Sequence, residues 1–148
     1  MSRLLPRVII IVLVIIAAPI LAIWLYMHSQ KLTIINKINE NSDRIVTLAE
    51  LALENNDTDT YRPDWTKGGF IDNGVVFYQK SFYGFVPTGK EYGYYYAADG
   101  KMHVYPGMDN YVTETDEKGI TFTNPDGSDG CYIQSITENL YYYETWSR

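Results

Sequence analysis

Few residues in this 148-residue chain could do covalent or metal chemistry. Cys131 is the single cysteine, and His28 and His103 are the two histidines. A zinc site built from the usual nitrogen and sulfur ligands needs more than these three side chains. Cys131 and His103 are the one nucleophile–base combination of their kind in the polar part of the chain. No flanking signature joins them, and a small buried thiol accounts for Cys131 equally well. Asn124-Pro125-Asp126-Gly127-Ser128-Asp129 has the oxygen-rich composition of a calcium loop. Its sixth position is Asp129 where glycine is needed and its twelfth is Ser135 where glutamate is needed, so an Asx-rich turn is expected. Neither glycine-rich phosphate motif occurs. The 18 Asp and Glu residues allow many carboxylate pairs, but none is marked by spacing as a hydrolytic pair. The expectation is therefore a protein with no catalytic residue, no metal and no cofactor.

The most unusual side chains are the tyrosines, above all Tyr94, Tyr95, Tyr96 and Tyr141, Tyr142, Tyr143. In a strand, neighbouring side chains point to opposite faces, so each triplet puts rings on both sides of a sheet. Exposed tyrosine gives rigid contact area and a hydroxyl at low entropy cost. These six residues are the candidate binding site, on an acidic aromatic β face that would meet a protein partner. The alternative is that rings with high β-propensity simply fill a small sheet, with their hydroxyls reaching its rim.

The elements that must position these rings follow from pattern. Of the 22 aromatic residues, 20 fall between Tyr61 and Trp146. Strand-like runs cover residues 74–80, 82–86, 92–97, 102–105, 111–115, 120–123, 132–136 and 141–146. Asp99-Gly100 reads as a hairpin turn, and Lys118-Gly119 and residues 137–140 as two more. Upstream, Leu32, Ile35 and Ile38, then Ile45, Leu48, Ala49 and Ala52, recur at helical spacing. Ser42 and Asp43 suit a helix start. This predicts either one helix broken near residue 41 or two consecutive helices. The fold class expected is α+β: an N-terminal transmembrane helix, then one or two short helices packed on an antiparallel β-meander. The domains expected are a membrane segment at 1–27, a helical stalk and linker at 28–60, and an aromatic-rich β domain at 61–148.

Val8 through Met27 carry no charge, and 13 of these 20 residues are Val, Ile or Leu. Twenty residues of helix span about 30 Å, a bilayer's hydrocarbon thickness. On an insertion scale those 13 side chains contribute roughly −4 to −8 kcal/mol, which outweighs Pro19. Trp24, Tyr26 and His28 sit where amphipathic rings favour the interface. A cleaved signal is the competing reading, but Ile20 and Ala22 make a poor cleavage pair and the apolar run continues past them. Arg3 and Arg7 lie next to the apolar run and favour a cytoplasmic N-terminus, with the C-terminal domain outside the cytoplasm.

Beyond residue 27 there are ten Lys and Arg against 18 Asp and Glu, a formal charge of −8. Such a surface repels phosphate backbones, so nucleic acid is excluded as a partner. A membrane-anchored extracytoplasmic binding protein fits best, and one specific version is an immunity-type inhibitor of an envelope toxin. Two readings compete. One is a pilin-like structural subunit, which shares only the outline of an apolar helix leading into a β-rich head. The other is a glycan-acting hydrolase with unmarked carboxylates.

Overall fold

The computed structural model describes residues 4–85 and 88–147. Arg3 and Val86, used above, lie outside that range, as do the side chains of residues 4–12. The chain forms two compact units, Met1–Thr33 and Ile34–Arg148. One helix is present among the described residues, α1 (Leu4–Asn55), rather than a membrane helix followed by separate short ones. The expected break is a kink at Asn41 (φ −132°, ψ 21°). There the Asn41 side-chain amide donates to the Lys37 carbonyl at 3.0 Å.

In the first unit, the large apolar side chains from Leu13 to Tyr26 are all exposed, and Trp24 stacks on His28. By length and composition this helix can cross a membrane. Pro19 lies within it without ending it.

The second unit pairs the last turns of α1 with a sheet. The sheet has seven strands: β1 (Gly68–Asp72), β2 (Val75–Phe85), β3 (Thr88–Ala97), β4 (Val112–Thr115), β5 (Ile120–Thr123), β6 (Gly130–Ser135) and β7 (Leu140–Ser147). Every pairing is antiparallel, in the order β1-β2-β3-β7-β6-β5-β4. The architecture is α+β as expected, but the meander is double. Strands β1–β3 form one run and β4–β7 another, joined where β3 meets β7. Because β4 lies at the far edge, the chain from residue 98 to 111 must cross β7, β6 and β5. That crossing explains two departures from the pattern reading. Residues 102–105 cover a sheet face instead of pairing at an edge, and Asp99-Gly100 turns into this crossing loop rather than into a hairpin.

The strongest hairpin signal is instead Asn73-Gly74, with φ of 47° and 79° at its two central positions. Those are the left-handed values a two-residue hairpin requires. It joins β2 to β1, a strand the pattern reading missed because Gly68-Gly69 looks like linker. The turn Asp116–Gly119 closes β4 onto β5, with the Asp116 carboxylate accepting from the Lys118 and Gly119 amides. Ile136 and Thr137 amides donate to the Leu140 carbonyl in the β6–β7 turn.

The sheet is covered on both faces. On one, Ile34, Ile38, Ile45, Ala49 and Ala52 of α1 meet Val76, Tyr78, Tyr92, Tyr94, Tyr96, Leu140 and Tyr142. The small Ala49 and Ala52 let the helix backbone approach large rings, so volumes match across the interface. Ile34 replaces the expected Leu32, which is exposed. On the other face, Phe77, Tyr95, Cys131, Ile133, Tyr141 and Tyr143 are covered by Met102, Tyr105 and Met108 of the crossing loop and by Phe122.

Candidate functional site

The structure places all six candidate tyrosines in the interior. Tyr94, Tyr95, Tyr142 and Tyr143 are fully buried, and Tyr96 and Tyr141 nearly so. The acidic aromatic face expected from these rings is therefore not an open face. Alternation does divide them between the two sides, but the helix covers Tyr94, Tyr96 and Tyr142 and the crossing loop covers Tyr95, Tyr141 and Tyr143. Desolvation raises the hydroxyl pKa of each of the six. Most hydroxyls find partners at the rim of their layer. Tyr141 donates to the Gly100 carbonyl at 2.7 Å, Tyr142 to Glu144 at 2.8 Å, and Tyr96 to Glu50 at 3.2 Å. Tyr95 accepts from the His103 amide at 2.9 Å, which pins the crossing loop. The buried Tyr94 hydroxyl has no hydrogen-bond partner among the described residues.

The other candidates are held by local contacts. The Cys131 thiol is fully buried, and burial pushes its pKa up, which removes the thiolate needed for nucleophilic attack. His103 pairs with Asp99 at 3.0 Å, and that contact holds the Asp99 carboxyl below its ordinary range. Residues 124–129 close on themselves: Asn124 accepts from the Asp129 amide and Asp126 from the Ser128 amide. No group of metal-ligating side chains occurs among the described residues.

What the structure does assemble is a groove beside the crossing loop. It is a recess of about 420 Å³ whose lining includes Phe82, Glu91, Met108, Tyr111, Asp129 and Thr145. Glu91 is its central polar group. Tyr143 donates to Glu91 Oε1 at 2.6 Å and Tyr105 to the same atom at 3.3 Å. Both donors are locked by packing. The Tyr105 ring lies 5.1 Å from Tyr143 and 5.5 Å from Phe77, and Tyr143 lies across Gly93, where a Cβ would meet its ring at 2.6 Å. Burial and the Glu91 charge both push the Tyr143 and Tyr105 pKa values up, so they remain protonated donors.

Phe82 reaches this groove because of a β-bulge. Gln79 pairs with Gly93 but Ser81 pairs with Tyr92, leaving Lys80 as the extra residue. Directly paired residues share a face. Before the bulge, Phe77 faces the crossing loop with Tyr95; after it, Phe82 faces that way with Glu91. Were Lys80 to take its place in regular alternation instead of bulging out, Phe82 would point toward the helix side. Lys80 itself turns aside, donating to the Trp65 carbonyl at 2.8 Å. Alternation along β7 puts Trp146 on the opposite face from Thr145, paired with Gly130, where a Cβ would strike its ring. Trp146 also lines the recess at its β7 end.

A second carboxylate, Glu144, sits on the helix side of the sheet, paired with Tyr92 and Tyr132. Desolvation first and the Glu144 charge second push Tyr92 up to about 12. Glu91 and Glu144 belong to opposite faces and do not converge on one cleft. Comparison with known proteins returned no match to any protein family, curated protein or solved structure.

Glu91, Phe82 and Tyr111 were not singled out in the sequence. Glu91 was legible only as one acid among 18. The signal that could have raised it is Glu91-Tyr92-Gly93, because a glycine in a tyrosine-rich strand marks a place where a ring from the next strand lies over the backbone.

Proposed function

We propose that this protein is a single-pass, membrane-tethered binding protein whose domain from Ile34 onward works outside the cytoplasm, with residues 8–27 retained as a signal-anchor in the bilayer. The observation that carries the reading is the contrast within one helix. Its apolar side chains from Leu13 to Tyr26 are all exposed, whereas those that complete the protein core begin at Ile34. An exposed apolar surface of that size is costly in water and favourable in lipid. The charge of −8 carried by the chain beyond residue 27 favours a cationic protein partner. An immunity-type inhibitor of an envelope toxin is the specific role that best suits a small, acidic, tethered domain without a convergent catalytic set.

The test has two arms. Membranes carrying the full chain are washed with alkaline carbonate, and the protein should stay in the pellet at full length. Crosslinking on intact membranes should then recover a protein that is absent when the domain is replaced by an unrelated fold. Release by carbonate, or a shortened mature chain, would contradict the tether. Recovery of the same proteins with the unrelated fold would contradict the binding role.

A further inference from the structure

We propose that the groove beside the crossing loop seats an arginine side chain of a protein partner, with Glu91 as its acceptor. This rests on the binding-protein reading and specifies its partner chemistry. Three observations carry it. First, the Glu91 carboxylate is only half-used. Oε1 takes both tyrosine hydroxyls, Oε2 has no hydrogen bond among the described residues, and Oε2 is not among the buried unpaired atoms. The open oxygen belongs to a partly buried residue that lines the recess. Second, among the described residues no Lys or Arg lines the groove, while Asp129 adds a second carboxylate to it. Glu91 forms no ion pair among the described residues. Third, the groove carries aromatic surface at the same place. Phe82 is 38% exposed and shares the Glu91 face, and Tyr111 lines the recess.

This chemistry selects a guanidinium over an ammonium ion. A guanidinium is planar, weakly hydrated and forked, so it can donate to a carboxylate oxygen while stacking on ring faces. The acceptor is also oriented in advance, because packed tyrosines already hold Glu91 in place. Binding therefore spends little on ordering it.

The test uses the full chain in detergent micelles and N-acetyl-arginine methylamide as probe, read by NMR at the Met108 methyl group and the Phe82 ring. Saturable shifts at both positions are expected. The neutral citrulline analogue should produce little response, and the lysine analogue should bind more weakly. Glu91→Gln should weaken binding by roughly tenfold or more. Phe82→Ala, at a part-exposed position, should weaken it without unfolding the domain, and it carries the test if Glu91→Gln does not fold. Absence of shifts at Met108 and Phe82, or an equal response to citrulline, would overturn the proposal. Binding that survives both substitutions would do the same. An equal response to the lysine analogue would overturn the guanidinium assignment. A silent groove in a chain that remains membrane-tethered defeats this proposal alone, whereas release from the membrane defeats the tether and leaves the probe result standing.

Discussion

The Tyr143 hydroxyl donates to Glu91 Oε1 at 2.6 Å, linking residues 52 positions apart across the β3–β7 junction. Among the described residues, that junction is where the two meanders pair. The bond therefore sits on the seam of the sheet and also fixes the polar centre of the groove. Removing the hydroxyl with Tyr143→Phe leaves a partly buried carboxylate with one weaker donor, Tyr105 at 3.3 Å. A hydrogen bond to a charged group contributes about 1.5–3 kcal/mol, so the variant should lose about that much stability in urea unfolding. Tyr105→Phe, which removes the longer bond, should lose less.

Glycines in the sheet are read by what lies over them. A Cβ at Gly93 would stand 2.3 Å from the Tyr78 carbonyl oxygen and 2.6 Å from the Tyr143 ring, both held in the core. Gly93→Ala should cost about 3 kcal/mol, at the upper end of the usual range for overpacking. Gly68→Ala in edge strand β1 meets nothing within 4 Å and should stay within about 0.5 kcal/mol of the parent. Thermal melts of the pair check both values.

The tyrosine core makes the protein alkali-sensitive in a definite window. Tyr92 is pushed up from 10.0 to about 12, and burial raises Tyr78, Tyr94, Tyr95, Tyr142 and Tyr143 further. A group whose folded pKa is raised contributes stability that is full below its unfolded pKa and is lost as pH rises through the folded value. Stability should hold up to about pH 10 and fall steeply between about pH 10 and 12. Tyrosinate absorbance and loss of circular dichroism should then rise together in one transition. Tyrosines that titrate one by one while the circular dichroism stays native would contradict a buried ring core.

Much of this architecture was legible because each signal was local. The apolar run, the helical stripe at Ile45, Ala49 and Ala52, and the period-two alternation of both tyrosine triplets all survive in the folded chain. The break at Asn41 was visible from the polar residues around it. What could not be read were relations between distant segments. Whether alternating tyrosines face water or packing depends on the crossing loop, and nothing in residues 98–111 announces that they lie over a sheet. The bulge at Lys80 is invisible in Gln79-Lys80-Ser81 yet decides that Phe82 shares a face with Glu91. The groove is built from β2, β3, β7 and two loops, so no single stretch of sequence could display it.

The central claim, a retained tether with its domain outside the cytoplasm, is tested most directly by side-specific labelling in intact cells. Thr113 is exposed in β4, and the native Cys131 is buried and serves as an unreactive internal control. With a membrane-impermeant maleimide, Thr113→Cys should be labelled on the full-length, membrane-bound chain once any outer barrier is permeabilised. Ser2→Cys should be labelled only after the inner membrane is lysed. Labelling of Ser2→Cys before Thr113→Cys would invert the orientation, and labelling of Thr113→Cys on a shortened, released chain would contradict the tether.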